Sequence, residues 1–155
     1  MWIKALLAVC IVAFGTGMGY FAAGKWRARK NFYVQMCLFH ERYLNELNYE
    51  RKPLGTFLSA YEYTGDFGKT VRVFSEGRNV EVGFRYLTKE ERAECANYFA
   101  MLGKGDALSQ KSYFSAQTAT LTQKRENGMK DAKARGELYV KLGLLAGLAA
   151  VILIV

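Results

Sequence analysis

Charge is missing from both ends of the chain. No Asp, Glu, Lys or Arg occurs from Ala5 to Gly24 or from Leu142 to Val155, while all 14 acidic residues lie between Glu41 and Glu137. Apolar runs of this length belong in a buried core or in a bilayer. At 1.5 Å per helical residue, Ala5–Ala23 reaches about 28 Å and Leu138–Val155 about 27 Å, against roughly 30 Å of hydrocarbon. Lys141 lies within the second run, where its stem lets the ammonium snorkel toward the headgroups. The stretch LLAGLAAVILIV is apolar on every side, unlike the one-sided stripe of a soluble helix. Transmembrane helices are therefore expected at 1–24 and 138–155, flanking a cytosolic helical domain at 25–137.

The flanking charges orient the spans. Lys25, Arg27, Arg29 and Lys30 follow the first run, which only Lys4 precedes, and Lys124, Arg125, Lys130, Lys133 and Arg135 precede the second. The positive-inside rule keeps these clusters cytosolic, so both termini face outward. Ala22 and Gly24 offer the small residues of a secretory cleavage site, but the basic cluster behind them opposes export. Gly15 with Gly19, and Gly143 with Gly147, recur at four-residue spacing and permit close helix packing. Pairing within the chain, self-association and simple tolerance of glycine all fit that spacing.

The middle segment offers little chemistry. Residues 24–137, 114 of the 155, suffice for one compact domain and not for two. A single histidine, and cysteines only at 10, 37 and 95, form no CxxC or HExxH spacing, and GxxxxGK[ST] does not occur. No metal or cofactor is expected. Cys37 and His40 lie three apart on one helix, the pattern of a thiol nucleophile with an imidazole base, and define the alternative of an exported or membrane-tethered enzyme. No third group accompanies them, and a buried thiol beside an interfacial imidazole accounts for the pair more simply. Glu90, Glu91 and Glu94 read as a solvated helix surface. The net charge of +8 becomes +6 over 25–137, with twenty basic against fourteen acidic residues. Nine of those basic residues flank the spans, so the excess suits lipid headgroups rather than nucleic acid.

Local patterns divide the domain. Phe32, Met36, Phe39, Tyr43 and Leu47 mark a helix continuing from the first span and ending near Arg51 or Lys52, before Pro53. Leu54–Tyr63 forms a short second helix. Val71 and Val73 alternate, as do Val80, Val82, Phe84 and Tyr86, with SEGRN between them, which predicts a short β-hairpin around 70–87. Thr88 and Glu91 form a capping box, and Gly103 closes the helix that follows. A last long helix starts near Asp106 and runs into the second span.

Three segments together resemble the stage III sporulation protein AB family: LNELNYERKPL at Leu44–Leu54, YFAMLGKGDALSQ with Phe99, Leu102, Gly103, Asp106 and Gln110, and ELYVKLGLLAGLAAVILIV at Glu137–Val155. The resemblance implies a mainly α, membrane-anchored helical bundle, similar to the cytoplasmic domain of type II secretion platform protein F. It further implies a non-enzymatic platform component of a sporulation secretion-like channel between mother cell and forespore, with its domain on the mother-cell side. The implied partners are a secretion-type cytosolic ATPase and other membrane subunits of the complex. Between Gly65 and Thr88 the chain departs from the family's longer helix. The candidate partner surface is Leu102, Gly103, Asp106 and Gln110, because a turn between helices presents backbone ends and polar side chains. A simpler role for Gly103 and Asp106 is to cap the two helices.

Overall fold

The computed structural model describes residues 2–50 and 52–154, the last of these by its backbone. Its helices are α1 (Trp2–Ala22), α2 (Gly24–Asn45), α3 (Leu54–Ala60), α4 (Gly65–Ser75), α5 (Lys89–Met101) and α6 (Ala107–Ile154), with a π-helical turn at Glu46–Glu50. The Ala23 N–H donates to the Gly19 carbonyl at 3.1 Å and the Arg27 N–H to that of Ala23 at 3.3 Å, so backbone bonding runs through the residue between α1 and α2. Helical backbone runs to Glu50; of the expected end at Arg51 or Lys52, Arg51 lies outside the described residues and Lys52 is non-helical. Two compact units emerge, Met1–Arg27 with Gly128–Val155, and Ala28–Asn127.

In the first unit, α1 and the C-terminal part of α6 pack antiparallel through glycine. Gly19 lies against Tyr139 and Val140, Gly15 against Gly143 and Gly147, and Gly147 against Val12. A Cβ on Gly15 would stand 2.6 Å from the Gly143 carbonyl oxygen and 3.1 Å from the Gly147 Cα, so the missing side chains are what let the backbones meet. The outward surface is apolar: Trp2, Ile3, Val9 and Phe14 are exposed, with Phe21 at 87% and Ile152 at 80%. Two helices of this length and composition are compatible with membrane spans. Polar contacts gather beside them. The Arg27 guanidinium lies over the Tyr20 ring at 3.5 Å, and Arg135 and Lys25 lie over Trp26 at 4.4 and 5.0 Å.

The second unit is built on aromatic rings. Phe39, Phe57, Phe67, Phe99 and Phe114 are essentially sequestered from solvent. Phe39 of α2 is central, with its ring centroid 5.4 Å from those of Phe57 and Tyr63, 5.7 Å from Phe67 and 6.1 Å from Phe99. One α2 residue thereby meets α3, α4 and α5. Truncating such a ring costs about 3–5 kcal/mol. Within this unit α2 and α6 run antiparallel, with Cys37 reaching Leu121, His40 reaching Thr118 and Tyr43 reaching Gln110.

The expected hairpin is not formed, and no strand occurs among the described residues. Its first arm, with Val71 and Val73, is part of α4, where Phe67, Thr70 and Val71 share a buried face at helical spacing. Two alternating valines are too few to separate a period of 2 from one of 3.6. The second arm pairs with no strand: it runs without regular structure to Phe84 and then turns, the Leu87 N–H donating to the Phe84 carbonyl at 3.2 Å. Val80, Val82, Phe84 and Tyr86 turn inward while Asn79, Glu81, Gly83 and Arg85 are exposed. Phe84 and Tyr86 stack at 5.5 Å, and the Tyr86 hydroxyl donates to Asp66 at the start of α4 at 2.9 Å. The short helix expected over Leu54–Tyr63 stops at Ala60.

The glycine pairing predicts opposite outcomes for two neighbouring substitutions. Gly19→Ala pushes a methyl into the Tyr139 backbone and should destabilise the helix pair by about 1–3 kcal/mol. A Cβ on Gly17 meets open space, so Gly17→Ala should be neutral or stabilising. Thermal unfolding of the detergent-solubilised chain, followed by tryptophan fluorescence, checks this selectively, because both tryptophans, Trp2 and Trp26, belong to the first unit.

Candidate functional site

The Cys37 and His40 pair is dispersed by the fold. The Cys37 thiol donates to the Leu121 carbonyl at 3.3 Å, and burial pushes its pKa up, away from the thiolate a nucleophile needs. His40 is 2% exposed and holds the Tyr98 hydroxyl on Nδ1 and the Thr118 hydroxyl on Nε2, each at 3.0 Å. Burial lowers the imidazole to about 4, so at neutral pH it is an uncharged link between α5 and α6. Both ring nitrogens are committed to structure. Cys95 is buried as well, its thiol pushed up to about 12 by desolvation.

The reading of Glu90, Glu91 and Glu94 as a solvated surface needs correction at Glu91. Its residue is only 9% exposed and its two carboxylate oxygens do different work. Oε1 accepts from the Arg29 guanidinium at 2.6 Å, and Oε2 accepts from the Thr88 backbone N–H at 3.0 Å. The Thr88 hydroxyl accepts in return from the Glu91 N–H at 3.2 Å, completing the capping box. Burial alone would raise the carboxyl, but the Thr88 N–H and the Arg29 guanidinium outweigh it and hold the pKa below the usual value. Glu94 is exposed and paired with Lys124. The capping spacing was visible in the sequence; the Arg29 partner, 62 positions away, left no local signal.

The turn between α5 and α6 sorts the four candidate partner residues into two kinds. Leu102 and Gln110 are buried at 5% and 4%, while Gly103 and Asp106 are exposed. Gln110 clamps the turn from beneath. Its Nε2 donates to the carbonyls of Met101, at 2.8 Å, and Lys104, while Oε1 accepts from the Tyr43 hydroxyl at 2.8 Å and the Gly103 N–H at 3.3 Å. Gly103 adopts φ +72°, a left-handed conformation that disfavours any side chain. Asp106 bonds the Ser109 hydroxyl, and that bond, with backbone N–H groups of the first turn of α6, depresses its pKa. The outcome is a rigid turn that presents Asp106 and the exposed Leu108. Beside it a groove of about 270 Å³ is lined by Leu47, Lys52, Leu54, Gly105 and Ala107. This turn and the π-helical Glu46–Glu50 segment lie at the end of the second unit away from Ala28 and Asn127.

These features define a class: a small helical domain joined at both chain ends to apolar helices that pair through glycine. A family model described as stage III sporulation protein AB matches residues 70–155, from within α4 through the last helix. The chain belongs to that family and is a sporulation-related protein. The matched residues include Phe99, Leu102, Gly103, Asp106, Gln110 and the Glu137–Val155 segment; Leu44–Leu54 lies outside them. No curated protein and no solved structure matches the chain.

The buried imidazole makes the second unit sensitive to mild acid. An unfolded histidine titrates near 6.5 and this one near 4, so between those values the unfolded chain binds more protons. Stability should be full above pH 6.5 and fall toward pH 4 by on the order of 3 kcal/mol. Urea unfolding of the full chain followed by circular dichroism at pH 7.5 and 5.0 measures the loss. His40→Gln should be less stable at pH 7.5 but should lose less on acidification.

Proposed function

We propose that the protein is a non-enzymatic platform component of a sporulation secretion-like channel complex. Two membrane spans, 1–24 and 138–155, hold the domain at 25–137 on the cytosolic face, on the mother-cell side. There the domain docks a secretion-type cytosolic ATPase and orients other membrane subunits. The observation that carries this reading is the braced α5–α6 turn: Gln110 fixes its backbone from inside, so Asp106 and Leu108 are offered without an ordering cost on binding. Family membership supports the sporulation setting. The basic residues Arg27 and Arg135 support the orientation, since arginine beside a span favours the cytosolic side, while the Tyr20 and Trp26 rings they cover suit either membrane interface. Leu102 and Gln110 serve the docking surface by shaping it.

Asp106→Ala removes an exposed carboxylate from the first turn of α6. It should weaken binding of the cognate ATPase to the full chain in detergent about tenfold while leaving circular dichroism unchanged, a difference of about 1.4 kcal/mol. Unchanged affinity takes Asp106 out of the site, and absence of any binding defeats the docking reading. Gln110→Ala should instead lower thermal stability, because the Met101 and Lys104 carbonyls lose their donor, at a cost of about 1–3 kcal/mol.

Orientation has a separate test. Cys37 and Cys95 are buried, so their silence toward a thiol reagent decides nothing. A cysteine at the exposed Lys89 should react with an impermeant maleimide only after the cells are permeabilised. Labelling in intact cells would put the domain outside.

A further inference from the structure

One buried charge in the second unit is left without a counter-charge. Glu46 opens the π-helical turn and is only 6% exposed, although glutamate is almost never buried unless paired. Its Oε1 accepts from the Lys52 backbone N–H at 2.7 Å. Among the described residues its Oε2 has no hydrogen-bond partner and no cation forms an ion pair with it; the Lys52 ammonium is held by Glu50 instead. A carboxylate withdrawn from water to this degree favours a cation beside it.

Glu46 also lines the groove of about 270 Å³ beside the α5–α6 turn. Leu47 and Leu54 supply apolar surface from one stretch of chain and Ala107 from the other, so the groove joins an apolar lining to a buried carboxylate. Both stretches carry a large apolar side chain that stands in solvent, Tyr49 at 83% and Leu108 at 76%. Such side chains exclude water around a central contact when a partner covers them. The exposed Asp106 puts a second negative charge on the same turn. From this we infer that the groove is a socket for one arginine side chain of the docked partner, its guanidinium on Glu46 and its methylene stem along Leu47, Leu54 and Ala107. Arginine fits this chemistry better than lysine, because its guanidinium is planar, weakly hydrated and suited to ion pairs inside interfaces. The inference rests on the docking reading and adds to it the chemistry of what enters.

Two measurements on the full chain in detergent separate the socket from the docking reading. Glu46→Gln removes the charge and keeps an acceptor for the Lys52 N–H, so circular dichroism should be unchanged while affinity for the cognate ATPase falls about tenfold. Ala107→Leu, at an exposed position on the groove wall, fills the groove with Glu46 in place and should weaken binding as well. The second measurement needs no ATPase. In the isotope-labelled chain, N-acetyl-arginine amide should shift the backbone amide signals of Gly103, Gly105 and Ala107 saturably, the norleucine analogue should bind several-fold more weakly, and either substitution should abolish the arginine shifts. Equal ATPase affinity in the wild type and Glu46→Gln overturns the socket and leaves docking standing. Absence of any ATPase binding defeats docking, and the arginine amide then decides the socket by itself. No saturable shift at these amides, or equal binding of the norleucine analogue, overturns the socket whatever the ATPase does.

Discussion

The antiparallel packing of α2 on α6 is the constraint on which the second unit rests. Three polar contacts fix its register: the Cys37 thiol on the Leu121 carbonyl, His40 on Thr118 and the Tyr43 hydroxyl on Gln110. Apolar rings could slide past one another at modest cost, but a displaced hydrogen bond strands a buried polar group at about 1–3 kcal/mol each. With that register set, Phe39 stands where α3, α4 and α5 bring Phe57, Phe67 and Phe99, and Gln110 arrives beneath the Met101–Lys104 turn. The exposed turn and the buried core are therefore two ends of one arrangement.

The first unit meets a different requirement by a different means. Its helices carry exposed apolar side chains, so in a bilayer burial of apolar area gives them little reason to associate. Close approach supplies that reason, and the glycines at 15, 19, 143 and 147 allow it. The charge-free ends thus contain both an exposed apolar surface and the glycine seam.

What could be read from the residues was whatever depends on near neighbours. The Thr88–Glu91 capping box, the start of α6 beside Asp106 and the helical spacing of the Phe39 face are all encoded within a few positions and formed as expected. The expected hairpin fails at Val71 and Val73, where two residues carry no period and the deciding partners, Phe67 and Thr70, lie upstream on the same helical face. Of the candidate partner residues, Asp106 is as exposed as a docking residue must be, whereas Gln110 is polar by type and buried by placement. Its Tyr43 partner, like the Arg29 partner of Glu91, comes from the other end of the chain, and no single-sequence pattern announces such a pairing.

The Gln110 amide also acts as a ruler. It bonds carbonyls six and nine residues behind it, at Lys104 and Met101, and so measures the length of the connection between α5 and α6. A surface loop ordinarily absorbs an extra residue at small entropic cost. Here one insertion between Gly103 and Ser109 would move both carbonyls out of reach of the same nitrogen. Outside the left-handed Gly103 and Gly105, this connection is therefore freer to change its side chains than its length.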